Sequence, residues 1–363
     1  MRNYVNQNRD RAVITFVIPA YNAELTLERT LNSVLRQSDD RYRILLIDDG
    51  SVDGTAQIGK EYAEKYPQKI RYFFQENRGL GGARNTGLKL VETEYVSFLD
   101  SDDWLMADYV ERILGQIEAA EKKPEIVMTL PTIWHEQSRA VQDWYDRELF
   151  LKIFPEDGRM VEPEKELRLY QFEVNVCRKV LQMEFVRRTH FSFREKVKWE
   201  DVYPHFYLLS QCRRCMGVAV GFYYRIGSET QITACTGSDR MDIVPVFGDV
   251  VSYIERGHEE LIFPAMRVIL RFSFWCIRMA DVGTRKPLVK RLHSFYKKLP
   301  GRYFCILQRE SRRWLPRKDA VQYALLSAAL RWKPLSLLFY DYLWQEICEK
   351  LVKKVLKAKD RTA

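Results

Sequence analysis

Between Val13 and Asp103 four short apolar runs alternate with helical patterns, and this alternation constrains the fold more than any other feature. Val13 to Ile18 reads as a buried strand ended by Pro19. Leu27, Leu31, Val34 and Leu35 then recur at i, i+4, i+7 and i+8, the spacing of one helix face. Ile44 to Ile47 forms a second apolar run, and Asp53 and Thr55 suit the start of a helix that reaches Tyr66. Arg71 to Phe74, a helix over Ala83 to Leu90, and a fourth strand over Tyr95 to Leu99 complete the series. This rhythm predicts a parallel α/β sheet with helices on its faces.

Pro19, Asp49 and Asp100 each fall just past an expected strand end. Open parallel sheets bind ligands at that edge, so the three positions predict one shared cleft. Asp100-Ser101-Asp102 sets two carboxylates two residues apart, a pattern that suits a hard divalent cation bridging to phosphate. It equally suits a solvated turn, or a helix cap at Asp103. Gly79, Gly81 and Gly82 with Arg84 read as a flexible loop where backbone can approach phosphate. A dinucleotide fingerprint fits less well, because Arg84 stands where its third glycine belongs. Glu200-Asp201 is either an ordinary surface pair or the seat of a general base.

Composition narrows the class. The chain has 363 residues, 46% of them hydrophobic, which excludes wholesale disorder and suggests two or three domains. Its seven scattered cysteines form no disulfide framework, so a reducing compartment is expected. Cys212 and Cys215 lack a second pair at zinc spacing and read as packing residues. The start of the chain lacks the pattern of a secretory signal. The most apolar stretch, Leu261 to Ala280, carries Arg267, Arg271 and Arg278, so no membrane span is expected.

Charge is uneven. Residues 256–363 hold 24 Lys and Arg against 9 Asp and Glu, whereas the remainder is net negative. Pro264 suits a helix start, and the three arginines after it fall within about 40° of one another on a helix. Leu351, Val352, Val355 and Leu356 alternate with Lys350, Lys353, Lys354 and Lys357. Both segments read as basic amphipathic helices that lie on anionic lipid or pack their apolar faces inward. No nucleic-acid motif accompanies the charge, and nucleic acid is not an expected partner.

Taken in order, VITFVIPAYNAELTLERTLNSVLRQ, ILLIDDGSVDGT, NRGLGGARNTGL and YVSFLDSDDW resemble the family 2 glycosyltransferases. The stretches VCRKVLQMEFVRRTHFSF, WEDVYPHF and GFYYRIGSETQIT are similar to the acceptor half of bacterial members. Over residues 11–235 the resemblance implies a GT-A fold, a Rossmann-like mostly parallel sheet flanked by helices; the stretch beyond matches nothing general in the family and reads as a mainly helical basic region. Residues 1–110 would be the nucleotide-sugar half, 111–235 the acceptor half and 236–363 the helical region. The resemblance implies a UDP-sugar donor and inversion at the anomeric carbon. Pro19, Ala20 and Tyr21 would line the base pocket, with Asp49 accepting a hydrogen bond from uracil. Asn77 and Arg84 would approach the nucleotide, and Asp100 with Ser101 would sit by the ribose. Asp102, with Asp100, would hold Mn²⁺ or Mg²⁺. Asp201 would deprotonate the acceptor hydroxyl, and Arg225 would steady the diphosphate.

Processive members carry a QxxRW motif soon after the acidic pair. Its nearest echo here, Glu310 to Trp314, lacks the Gln and lies far downstream, so transfer of single sugars is expected. The expected acceptor is a saccharide, a lipid-linked one or a surface-polymer precursor, met at the cytoplasmic face of the plasma membrane. The competing classes are a nucleotidyltransferase making nucleotide sugars, which leaves Asp201 without a role, and a non-catalytic membrane- or polyanion-binding protein.

Overall fold

The computed structural model describes residues 12–227, 235–315 and 317–331. The chain divides into two compact units, 1–231 and 232–363.

The first unit starts with β1 (Ile14–Ala20), α1 (Leu27–Leu35), β2 (Tyr42–Asp48), α2 (Thr55–Lys65), β3 (Ile70–Phe74), α3 (Gly79–Leu90) and β4 (Tyr95–Phe98). Next come β5 (Trp104–Leu105), α4 (Tyr109–Ala119), β6 (Ile126–Thr129), β7 (Thr132–His135), β8 (Ala140–Asp143) and α5 (Arg147–Ile153). It closes with β9 (Met160–Val161), β10 (Lys179–Gln182), α6 (Met183–Thr189), α7 (Val202–Gln211), β11 (Cys215–Val218) and β12 (Phe222–Ile226).

Eight strands form the main sheet in the order β3-β2-β1-β4-β10-β6-β11-β9. The expected parallel core is present, since β1, β2, β3 and β4 run parallel. Its central strand is apolar on both faces and fully buried, as helices on each side demand. Unlike the early strands, β10 runs antiparallel to both β4 and β6. Four further strands, β5-β12-β7-β8, make a smaller sheet that the alternation pattern does not reveal. Two of them are too short or too polar to stand out as apolar runs.

Two local expectations are corrected. Pro19 does not end β1; the strand stays paired to β2 through Ala20. Pairing with β4 stops at Val17, so beyond it β1 is an edge on that side, where a strand proline is tolerated. The glycine run is not a loop either, because it forms the first turn of α3. A Cβ on Gly81 would lie 2.2 Å from the Arg194 carbonyl oxygen, and one on Gly87 would lie 2.3 Å from Val17. These glycines let α3 press against the 193–196 segment and against β1.

The second unit is helical: α8 (Ile243–Ile254), α9 (Ile262–Met279), α10 (Val282–Lys298), α11 (Gly301–Trp314) and α12 (Arg317–Arg331). Pro264 sits in the first turn of α9, where a missing N–H costs no helical bond. Ile269, Leu270, Leu292 and Tyr296 are buried within this unit. Arg267 and Arg271 are half-buried, with guanidiniums against Phe263, Tyr323 and Phe272. For α9 the inward-packing alternative therefore holds; the 350–357 segment lies outside the described residues. Among the described residues no helix is long and apolar enough to cross a membrane.

Candidate functional site

Three loops leave the carboxyl ends of β1, β2 and β4, and side chains bind them to one another. Asn22, in the left-handed region at φ 50°, donates its backbone N–H to Ser51 Oγ and accepts from the Val52 N–H, both at 3.0 Å. The Ala23 amide donates to Thr55 Oγ1 at 2.7 Å. Across the same seam the Glu24 amide donates to Asp53 Oδ2 at 3.1 Å, and the Gly54 amide donates to Glu24 Oε2 at 2.8 Å. Tyr21 projects from this seam and is 54% exposed, whereas Pro19 and Ala20 are buried beneath it.

Asp49 is buried at the end of β2, and its Oδ1 accepts from Gln75 Nε2 at 2.6 Å and from the Arg78 amide at 2.9 Å. It thereby fixes the segment that carries the exposed Asn77. Gly50, at φ +79°, passes so close that a Cβ there would stand 3.0 Å from the Asn77 nitrogen.

After β4 the chain turns through Asp100-Ser101-Asp102-Asp103, and α1 grips that turn by its carbonyls. Thr26 Oγ1 donates to the Ser101 oxygen at 2.8 Å, and Thr30 Oγ1 to the Asp103 oxygen at 2.7 Å. Two arginines then answer the carboxylates. Arg225 Nη2 lies 3.3 Å from Asp102 Oδ2, and its backbone N–H donates to Asp103 Oδ1 at 2.9 Å. Arg84 Nη2 donates to Asp100 Oδ1 at 2.7 Å, while its Nη1 pairs with Glu200. Asp103 Oδ2 is buried without a hydrogen-bond partner among the described residues.

Electrostatics follow from this crowding. Burial, then the Asp100 charge, raise the Asp102 carboxyl even against Arg225. Asp103 is raised further, by burial and then by Asp102 and Asp100. No group of three or more His, Cys, Asp and Glu side chains among the described residues is arranged to hold a metal. Asp100 and Asp102 supply two carboxylates in one turn, each facing an arginine, so a cation there would need further oxygens from a ligand.

Asp201 stands at the N-terminus of α7. Burial, then the adjacent Glu200 charge, push its carboxyl up to about 7, opposed by Arg84 and Lys179. Lys179 is buried on β10 with its Nζ 2.9 Å from the Asn175 oxygen, and burial lowers it to about 8. Arg84 is 2% exposed and set against Phe98 and Phe193. It ties Asp100 to the segment bearing Asp201 through Glu200. Sequence reasoning gave Glu200 no separate role; its placement beside Asp201 in an acidic pair was the available signal.

Comparison with known proteins bears on this geometry. Residues 15–177 match the family model Glycosyl transferase family 2. The Glycosyltransferase GlyA of Streptococcus pneumoniae is 43% identical over 104 residues, 29% of this chain and 15% of that protein. The Uncharacterized glycosyltransferase EpsJ of Bacillus subtilis is 28% identical over 192 residues, 53% of this chain and 54% of that protein. The matches therefore span about half the length of curated relatives at most in these two cases. Staphylococcus aureus TarS, residues 1–349 solved with UDP-GlcNAc, superposes with a TM-score of 0.62 at 18% identity, covering 88% of this chain and 91% of that one. At that identity the likeness establishes the fold, which is the expected GT-A architecture with a helical C-terminal region.

Proposed function

We propose that this protein moves one sugar from a UDP-sugar to a hydroxyl of a saccharide acceptor, inverting the anomeric carbon by single displacement. One observation carries the reading. Asp201, held near neutrality by burial, is linked through Glu200 and Arg84 to the acid cluster at the end of β4. A displacement needs a base on one side of the sugar and leaving-group stabilisation on the other, and this linkage fixes the two parts relative to each other. The named relatives support sugar transfer, and the UDP-GlcNAc complex of TarS supports the donor class.

In this reading Asp49, Tyr21 and Asn77 receive the nucleotide, with Asp100 and Ser101 at the ribose. Asp201 accepts the acceptor hydroxyl proton as that oxygen bonds to the anomeric carbon. The bond from that carbon to the diphosphate oxygen breaks on the opposite face, and UDP departs. Arg225, anchored at Asp102, steadies the departing diphosphate. A divalent cation at Asp100 and Asp102, Mn²⁺ or Mg²⁺, supplies charge neutralisation to that diphosphate when bound. The exposed Lys290, Lys297 and Lys298 of α10 favour work beside an anionic membrane surface, at its cytoplasmic face.

Calorimetric titration of UDP in Mn²⁺ and then in EDTA tests the donor site. UDP binding that needs the metal, and that Asp102→Ala removes, is expected. Equal binding in both buffers overturns the metal role, and no binding in either overturns the donor site.

A further inference from the structure

The smaller sheet has two unlike faces. Leu105, Ile133 and Phe222 point inward and are buried. The opposite face should be polar, as solvated sheet faces usually are. It is aromatic instead. Tyr223 pairs with Trp104 and Thr132, and Arg225 with Trp134, so Trp104, Tyr223, Trp134 and Arg225 share that face. Trp104 and Tyr223 stack with ring centres 5.3 Å apart, and Trp134 meets Trp104 edge-on at 5.6 Å. All three rings remain partly exposed. Val141, paired with Trp134 on the edge strand β8, is 59% exposed and extends the apolar surface.

Two further facts give the face a direction and a chemistry. Through Arg225 it runs directly into the acid cluster, at Asp102. At its rim the Arg29 guanidinium lies 4.0 Å from the Trp104 ring centre and 3.7 Å from Glu136, a paired and hence nearly neutral edge of donors and acceptors.

We propose that this aromatic face is the binding subsite for the acceptor, and that it takes neutral pyranose units of a saccharide chain. A pyranose ring has a flat C–H face and a rim of hydroxyls. Aromatic rings cover the first, and planar guanidinium and carboxylate groups bond the second. A polyanion fits poorly, because the rim cation is already matched by Glu136. Continuity with Arg225 places the last sugar of the chain next to the donor cluster, where its hydroxyl is needed. The inference rests on the glycosyltransferase reading above and names where its acceptor binds.

The test uses the full chain, an array of soluble neutral oligosaccharides (cello-, chito-, malto- and manno- series), and UDP titration with Mn²⁺ on the same preparations. Wild-type protein is expected to be retained on at least one series. Trp134→Ala should bind that series about tenfold more weakly, with UDP affinity unchanged as the check that the protein is folded. Val141→Arg, at an exposed position, should weaken the same binding without disturbing the fold. UDP binding with no retention on any series overturns the subsite alone, as does equal retention of wild type and both variants. Failure of the wild type to bind UDP breaks the donor reading instead, and Trp134-dependent retention in that case leaves the saccharide subsite standing.

Discussion

The turn after β4 and the outer surfaces of α10 and α11 both concentrate charge, but they handle it in opposite ways. At the turn, Asp100, Asp102 and Asp103 are met by Arg84 and Arg225, and Arg84, Asp103 and Glu200 are buried. From Val282 to Leu315 there are ten Lys and Arg against one acid, Glu310. Lys290, Arg291, Lys297, Lys298 and Arg312 stand in solvent. Burying an ion is expensive and is sustained only by close partners, so charges in the first region are fixed in position. Charges in the second cost little to keep and act at a distance through their sum. The first arrangement suits chemistry on one ligand, the second attraction to a surface.

If that contrast is right, substitutions in the two regions must differ in size and in kind. Arg84→Ala leaves Asp100 and Glu200 without their shared cation. A loss of about 3–5 kcal/mol is expected, together with loss of transfer. The melting temperature should fall by roughly 6–20 °C, measured by calorimetry, at the scale typical of a unit this size. A fall of a degree or less would show that the buried pairs are not structural.

Asp201→Asn separates chemistry from binding. Transfer should drop by about 10²–10⁴-fold while UDP affinity stays within about twofold. Weakened UDP binding with normal turnover of what is bound would contradict the role.

A smaller and graded effect comes from pH. Because burial holds Asp201 up to about 7, its basic form accumulates only as pH rises through neutrality. Single-turnover transfer should be level above that point and fall about tenfold per unit below it. A plateau reaching down to pH 5 excludes Asp201 as the group titrating. The same upward shift favours the protonated carboxyl in the folded state. Its contribution to stability is therefore full below the ordinary aspartate range and is lost as pH rises through about 7.

The smallest effect on the protein itself belongs to the second unit. Reversing Lys290, Lys297 and Lys298 to Glu should leave the melting temperature and UDP affinity nearly unchanged. Sedimentation with vesicles containing phosphatidylglycerol should fall several-fold, and added salt should mimic the change. Unchanged sedimentation at low salt would remove the surface role of this face.

The sequence exposes some of this and hides the rest for identifiable reasons. The early strands and α1 are legible because β1 and β2 are continuous apolar runs and Leu27, Leu31 and Val34 all fall on the buried face of their helix. The cluster at Asp100 to Asp103 is legible as a polar turn at a strand end. What stays hidden is decided by distant partners. Gly81 looks like loop chemistry until Arg194 is brought against it, and Glu200 shows no separate role until it meets Arg84 from over a hundred residues away. The aromatic face is invisible for the same reason. Trp104, Trp134 and Tyr223 come from three separate strands, and only the register of the small sheet shows them as neighbours.

The seam between the loops after β1 and β2 has a consequence for the thermodynamics of ligand capture. Asn22, Ser51, Val52, Ala23 and Thr55 are already bonded to one another in the free protein. A ligand entering there meets a rim whose conformational entropy was surrendered at folding, not at binding. Association at this rim should thus carry little ordering cost. Amide hydrogen exchange at Ala23, Val52 and Thr55 should be slow before any nucleotide arrives and barely slower afterwards.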